Sequence, residues 1–269
     1  MMRRKNNLVV GLTTFHNEML RISVPALGKL RQKFTLIIYN DNPMTTISRR
    51  QIRHLGYCGE LLIINTDENL GELRARMTIV DAARAINPDW IIFCDDDDIL
   101  SDIEIPDVAN DNFAIIQNSV VLRHRVGDLL CAMERPSEID IDGENVELVR
   151  PHIGLAGVPI RARIFNEMAR IMPDIYDAIQ KIDDKIDFCP PVDAMMWNFT
   201  NTLARHINPN AVPIYMDKIN YIQNKIDTPR IKYGRLARPA RNVEEHYQRV
   251  LTKYDDALQG ALTARAPRG

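Results

Sequence analysis

The chain has 269 residues, 45% of them hydrophobic and 26% charged, an ordinary composition for one large or two small globular domains. Its 34 Lys and Arg residues against 36 Asp and Glu give a net charge of -2, and no long basic block occurs, so we expect no nucleic-acid partner. The dispersed cysteines lack zinc-type spacing, and the apolar stretch near the start is too short for a signal peptide or a membrane span. This pattern predicts a cytoplasmic protein without a transmembrane segment.

Four short apolar runs in the first part of the chain predict strands. They cover residues 7–12, 35–40, 60–65 and 90–94, and they are near-continuous in Ile, Leu and Val rather than alternating. Such runs are typical of strands buried on both faces of a parallel sheet.

A helical pattern separates the last two of these strands. Leu73, Met77, Val80 and Ala83 recur at helical spacing, and Pro88 follows the end of the pattern. Strands that alternate with helices predict an α/β fold with right-handed crossovers.

The second half of the chain changes in character. Two strands joined near Gly127 form a predicted hairpin, and residues 143–150 are a candidate for a further strand. Helices are predicted at 161–181 and 192–206. The sheet is therefore expected to be mixed, with a helix at about 243–258 after it.

Four successive aspartates, Asp95 to Asp98, follow the fourth strand directly. Ligands of open α/β sheets bind beyond the carboxyl ends of the strands. If the backbone stays extended, Asp95 and Asp97 point to one side and Asp96 and Asp98 to the other. Neighbouring carboxylates hold a hard cation well, and Mg²⁺ or Mn²⁺ is the natural candidate. The alternative is a solvated acidic loop, with Asp98 or Ser101 capping a following turn.

Four segments in order resemble the nucleotide-binding half of family-2 glycosyltransferases of the GT-A fold. They read VVGLTTFHNE, LIIYNDN, NLGELRAR and WIIFCDDDDIL, and the resemblance covers about residues 7 to 101. A later PPVDAMMW segment is similar to the family's acidic motif at a helix start. The resemblance implies a GT-A (Rossmann-like) sheet, mixed but mostly parallel and flanked by helices, with a helical C-terminal extension.

The resemblance also implies two contacts at the ends of the first strands. Thr13 is expected to contact the nucleotide, although its hydroxyl could equally cap the following helix. Asp41 matches the acid that hydrogen-bonds the uracil. The segment YNDNPMTT departs from the family pattern there, and an Asx-type turn is the alternative.

Arg76 falls on the arginine of the family's Asn-x-Gly-x-x-x-Ala-Arg motif. Its guanidinium is expected to hold the base, a phosphate or Asp41. An i,i+4 ion pair with Glu72 is also available at this spacing. Gly71 either lets the chain enter the helix close to the ligand or serves a simple turn.

The aspartate run aligns with the family's Asp-x-Asp motif. Asp95 is expected near the ribose and the metal, and Asp97 on the metal. Asp96 and Asp98 are expected either to contact ribose or sugar hydroxyls or to stabilise the turn. The implied cofactor is Mn²⁺ or Mg²⁺, bound together with the donor diphosphate. The histidines show no metal-type spacing, and we expect His152 to be a surface or core residue rather than a ligand.

Asp193 matches the second position of the acidic motif and is the expected catalytic base. Val192 stands where the family often has the first acid, so a role at the positive end of the helix dipole is the alternative.

The implied activity is metal-dependent, inverting transfer of a sugar from a nucleotide donor, with UDP expected, to an acceptor hydroxyl. A non-catalytic nucleotide- or glycan-binding scaffold and a sugar-phosphate nucleotidyltransferase are the alternatives.

We therefore divide the chain into residues 1–102, which bind the nucleotide sugar, residues 103–226, which complete the same domain with the acceptor and catalytic half, and a tail at 227–269. The first part of the tail is basic and fits a solvated linker, an arm over the donor site or a contact with anionic lipid. The expected partners are a nucleotide-sugar donor and a glycan or lipid-linked acceptor, with possible peripheral membrane association.

Overall fold

Four parallel strands begin the central sheet of the computed structural model, which describes residues 7–126, 129–134, 155–180, 192–224 and 243–265. These strands are β1 (Leu8–Thr14), β2 (Thr35–Asn40), β3 (Glu60–Asn65) and β4 (Trp90–Asp95). They lie in the spatial order β3-β2-β1-β4 and are all parallel. The four strands predicted from the apolar runs are confirmed.

Three helices connect these strands and cover both faces of the sheet. They are α1 (Leu20–Lys29), which follows a short 3₁₀ turn at Asn17–Met19, α2 (Arg49–His54) and α3 (Glu72–Ala83). The predicted apolar face of α3 is buried, and it shares one core layer with Val9, Ile37 and Ile91. The α1 and α2 helices share the other layer with the alternate strand residues, such as Val10 and Ile38. The β1, β2 and β4 strands are thus buried on both faces, as their sequences predict, whereas β3 lies at the edge of the sheet and is partly exposed.

The second half of the sheet is mixed. Its strands are β5 (Ile99–Leu100), β6 (Asn112–Val126), β7 (Leu129–Glu134), β8 (Ile160–Arg161) and β9 (Val212–Asn224). The antiparallel β6–β7 hairpin was predicted and is confirmed, whereas β5, β8 and β9 were not predicted. The full order is β3-β2-β1-β4-β8-β6-β9-β5, with β7 beside β6. The β9 strand runs parallel to β6 and antiparallel to β5.

Three longer helices complete the described fold. They are α4 (Ala162–Gln180), α5 (Val192–Ile207) and α6 (Val243–Ala264). The first two confirm the predicted helices, and α6 continues past its predicted end at residue 258. These helices bury their apolar faces in the same layer as α3. Within the described residues, no helix is both long and apolar enough to cross a bilayer.

Some predicted features fall on residues outside the described part of the chain. They are the strand at 143–150, His152 and the basic start of the tail, residues 227–242.

Candidate active site

The site lies at the carboxyl edge of the sheet, where β1 and β4 are neighbours. The strand order reverses between these two strands, because β2 follows β1 on one side and β4 lies on the other. Such a reversal is where open α/β sheets form a ligand crevice. Thr13 pairs in register with Tyr39 on one side and with Asp95 on the other, and the N–H of Asp41 donates to the carbonyl of Thr14 at 2.8 Å. Thr13, Asp41 and Asp95 are therefore at one edge, as predicted.

The four aspartates form a turn rather than an extended segment. The β4 strand ends at Asp95, and the N–H of Asp98 donates to the carbonyl of Asp95 at 3.3 Å. The expected alternation, with Asp95 and Asp97 on one side and Asp96 and Asp98 on the other, is therefore wrong. The reason is that Asp98 is drawn into the protein by partners from β9.

Asp98 anchors this turn. Its side chain is buried, and its carboxylate accepts hydrogen bonds from the hydroxyl of Tyr221 at 2.9 Å and from the N–H of Asn224 at 2.7 Å. The Tyr221 hydroxyl also accepts a bond from the N–H of Asp95 at 3.1 Å. Asp98 is therefore not part of a solvated loop. Sequence reasoning missed Tyr221, which lies 123 residues from Asp98 with no local pattern to connect them.

Asp96 contacts β1. The hydroxyl of Thr14 donates to its carboxylate at 2.5 Å. Burial raises the pKa of Asp96 to about 8; the Thr14 hydrogen bond acts against this shift, and the charges of Asp97 and Asp98 add to it. The crowded carboxylates of this turn thus resist ionisation together, and a bound cation would relieve their repulsion.

Thr13 does not cap the helix that follows it. His16 precedes the short 3₁₀ turn and Met19 precedes α1, and neither element has a side-chain cap. The Thr13 side chain is partly exposed at the site. The capping alternative is thereby removed, and the nucleotide contact stays a prediction.

Asp41 positions the start of α3. Its two carboxylate oxygens accept hydrogen bonds from the N–H of Leu70 at 2.7 Å and of Gly71 at 3.0 Å. Gly71 has a φ of 76°, a conformation that favours glycine, so the turn requires this residue. Burial raises the pKa of Asp41, and the two N–H bonds oppose that shift. The Asx turn predicted as an alternative is made by Asn42, which accepts from the N–H of Met44 at 3.0 Å.

Arg76 is the positive group beside the aspartates. Its side chain is 1% exposed and contacts three carboxylates: Asp193 at 2.6 Å, Asp95 at 3.0 Å and Glu72 at 2.6 Å. The predicted i,i+4 pair with Glu72 is confirmed. Burial acts to lower the pKa of Arg76, but the charges of Glu72, Asp193 and Asp95 outweigh it and raise the pKa well above its ordinary value, so the guanidinium stays charged. A contact between Arg76 and the nucleotide stays a prediction.

Asp193 lies in the first turn of α5, and Arg76 brings it beside Asp95. Its contact with Arg76 runs through Oδ1, and its side chain is 36% exposed. Val192 is buried in the core, so a hydrophobic contact replaces the first acid of the family motif. Asp193 lies 117 residues from Arg76, and the family motif was the one signal that pointed to this placement.

The oxygen ligands at the turn are of the kind that Mg²⁺ and Mn²⁺ prefer. Within the described residues, however, no group of three or more His, Cys, Asp or Glu side chains is arranged to hold a metal ion. Asp95 and Asp97 therefore fit a cation only if other ligands, such as phosphate oxygens and water, complete its coordination.

This sheet, its helices and the acidic turn define a GT-A fold. Residues 12–111 match the sequence model of glycosyl transferase family 2. The match confirms the resemblance to family-2 glycosyltransferases of the GT-A fold. A comparison with curated proteins found no match to the chain.

Structures of TarS from S. aureus have a similar fold. TarS 1–349 has a TM-score of 0.53 and 16% identity over 93% of this chain and 71% of that one. The complex of TarS 1–349 with UDP-GlcNAc has a TM-score of 0.56 and 15% identity over 93% of this chain and 66% of that one. In a third TarS structure, this chain spans 43% of the length of the TarS chain.

Proposed function

We propose that the protein is a metal-dependent, inverting glycosyltransferase that moves a sugar from a UDP-linked donor to an acceptor hydroxyl. The main support is the ion-pair cluster of Arg76, whose single guanidinium contacts both Asp193 and Asp95 and so holds the two acids close together. One acid belongs to the turn proposed to face the donor diphosphate, and the other is the proposed base. A base and a leaving-group site must lie close together for a single displacement at a sugar carbon.

Asp193 is the proposed general base. Arg76 holds Oδ1, which orients the carboxylate, and we assign Oδ2 to accept the proton of the acceptor hydroxyl. The oxygen of that hydroxyl then forms the new bond to the anomeric carbon while the bond to the diphosphate breaks. Attack from the face opposite the leaving group inverts the configuration at that carbon.

The proposed donor contacts are Thr13, Asp41 and Asp96 for the nucleotide, with Asp95 and Asp97 holding Mn²⁺ or Mg²⁺. When bound, the cation neutralises charge on the departing diphosphate. Support for UDP comes from the match of Asp41 to the family pattern and from TarS, a protein of similar fold that has been crystallised with UDP and UDP-GlcNAc. A glycan or lipid-linked acceptor, possible peripheral membrane association and a cytoplasmic location belong to the same proposal.

The test is transfer by an Asp193→Asn variant. Asparagine keeps the oxygen that accepts from Arg76 but cannot take up the acceptor proton. We expect affinity for UDP to change little and transfer from a UDP-sugar to fall by about 100-fold or more. Asp177→Asn, at an exposed position on α4, is the control and should transfer at the unmodified rate.

Three outcomes would contradict the proposal. Transfer at the unmodified rate by Asp193→Asn would leave this residue with a helix-start role alone. Binding of UDP-sugars without transfer or hydrolysis by the unmodified protein would indicate a scaffold. Release of pyrophosphate from a nucleoside triphosphate and a sugar phosphate would indicate a nucleotidyltransferase.

A further inference from the structure

A cavity of about 540 Å³ lies between the first turn of α1 and helix α2, outside the site described above. Its wall includes Arg21, Arg50, His54 and Gln51, with Asn17 and Glu18 in the 3₁₀ turn before α1. Most of these side chains donate hydrogen bonds, and the two arginines outnumber the one carboxylate.

The α1 helix closely approaches the turn that follows α2: a Cβ added to Gly28 would lie 2.4 Å from the carbonyl oxygen of Gly56. The starts of helices that follow parallel strands lie at the carboxyl edge of the sheet. The cavity, at the start of α1, is therefore on the same edge as Asp41. Asn17 links the cavity to the loop after Asp41 by donating to the hydroxyl of Thr45 at 2.6 Å.

The described arginines fall into two groups: some are held by a carboxylate, whereas others, including Arg21 and Arg50 of this cavity and Arg31 and Arg53 outside it, form no ion pair within the described residues. Arg76, Arg84, Arg170 and Arg265 each form an ion pair with a carboxylate. Arg50 donates through Nε to Nε2 of His54 at 3.4 Å.

The surrounding segment is strongly basic in a chain of net charge -2. Residues 19–59 contain seven Lys or Arg residues, whereas their one acidic residue, Asp41, is buried and bonded to the backbone. Helix α2 reads RRQIRH, with Ile52 as its buried residue. This face therefore keeps a net positive charge even when the Glu18 carboxylate of the cavity wall is counted, and its potential attracts anions to the cavity.

We propose that this cavity is a second binding site, which takes the phosphate group of a phosphate ester. The guanidinium fork matches phosphate oxygens, and charge-assisted hydrogen bonds from Arg21 and Arg50 would hold the group. The volume accommodates more than a bare phosphate, so the ester's organic part also fits. The ligand is either a soluble phosphate ester or the headgroup of an anionic lipid. This proposal does not rest on the glycosyltransferase activity.

Inorganic phosphate is the first probe. Melting temperatures are measured against phosphate concentration in EDTA, at constant ionic strength maintained with sodium chloride, so that no divalent cation can recruit phosphate to the acidic turn. The test variant is Arg21→Gln/Arg50→Gln. The control is Arg31→Gln/Arg53→Gln, which removes the same charge from exposed positions of the same segment outside the cavity wall.

We expect phosphate to stabilise the unmodified protein and the control, because a ligand of the native state raises the melting temperature. The test variant should bind phosphate about 10-fold or more weakly, the usual effect of losing charged hydrogen bonds. Equal phosphate dependence in the two variants would overturn the proposal, and so would an absence of phosphate-dependent stabilisation in the unmodified protein. The four arginines are exposed, so both variants should fold, and circular dichroism checks this.

Vesicles distinguish the two sources of the phosphate group. Co-sedimentation with phosphatidylglycerol vesicles is compared with co-sedimentation with phosphatidylcholine vesicles, again in EDTA. Loss of phosphatidylglycerol binding in the test variant, but not in the control, supports a lipid headgroup. Phosphate binding confined to the cavity, with no difference between the variants in vesicle binding, supports a soluble ester.

Discussion

Arg76 joins parts of the chain that are far apart in sequence. A guanidinium that is 1% exposed would be costly to bury alone, and here three carboxylates offset that cost. Without the guanidinium these carboxylates would repel one another. Each is between 33% and 46% exposed, so contact with water weakens that repulsion. The residue therefore acts through the acids it holds, as a positioning residue for Asp95 and Asp193.

Replacement of Arg76 by Met tests this account of stability. Methionine fills a similar volume but leaves Asp95, Asp193 and Glu72 without their shared partner. We expect the free energy of unfolding to fall by about 3 kcal/mol, at the lower end of the range for a broken buried pair because the acids reach water. Urea denaturation measures it. Arg84→Met, which removes a half-exposed arginine paired with Asp81, should cost less than about 1 kcal/mol.

Equal losses in these two variants would show that the buried cluster contributes no more than a surface pair.

The sequence predicted one partner of Arg76, Glu72, because helical spacing brings residues four apart together. Asp95 and Asp193 lie 19 and 117 residues from Arg76, and no local rule gives such contacts. The family motifs named Asp95, Asp193 and Arg76 individually, but not the contacts between them.

At the scale of elements, β9 holds the acidic turn in place. Tyr221 donates to Asp98 and accepts from the N–H of Asp95, so one side chain fixes both ends of the turn. Gly157 permits this: its φ is 79°, and an added Cβ would lie 2.8 Å from the Tyr221 side chain. The β9 strand thus sets the geometry of the acidic turn, although the turn lies far from β9 in the sequence.

Tyr221→Phe removes the hydroxyl and keeps the ring. Asp98 then loses a buried hydrogen-bond partner, and we expect the free energy of unfolding to fall by about 1 to 3 kcal/mol. Metal-dependent UDP affinity should fall as well, because the turn is less well held. The control is Tyr215→Phe on the same strand, where the hydroxyl bonds to Asn118 at an exposed position and should matter by less than about 0.5 kcal/mol. Unchanged stability and UDP affinity in Tyr221→Phe would contradict the anchoring role.

The strands differ in how well their sequences reveal them. The β2 and β3 strands match their predicted bounds, because each is a continuous apolar run; β2 is buried, whereas β3 lies at the edge of the sheet and is partly exposed. The β9 strand was missed because Val212, Tyr215 and Ile219 are apolar and yet exposed, so neither alternation nor a continuous run results. The two-residue strands β5 and β8 exist through pairing with distant strands, which no local pattern encodes.

At the scale of the whole molecule, the acidic turn connects the two halves of the sheet. The β4 strand before it pairs with β1, and β5 after it pairs with β9. The helix that carries Asp193 packs in the same core layer as α3, which carries Arg76. A ligand at the turn therefore contacts elements from both halves, and its binding energy should add to the stability of the fold as a whole.

The last prediction uses this linkage to test the cation. Suppose that Mn²⁺ or Mg²⁺ bridges Asp97 to the diphosphate. With the metal present, UDP at about 100 times its Kd should then stabilise the protein by about 2.7 kcal/mol, which raises the melting temperature by roughly 5 °C. In EDTA the same UDP concentration should raise the melting temperature much less. Asp97→Asn should abolish the metal-dependent part of the rise, whereas Asp107→Asn, at an exposed position beyond the turn, should keep it. A rise of equal size with and without metal would exclude the bridging cation and leave the acidic turn with a structural role.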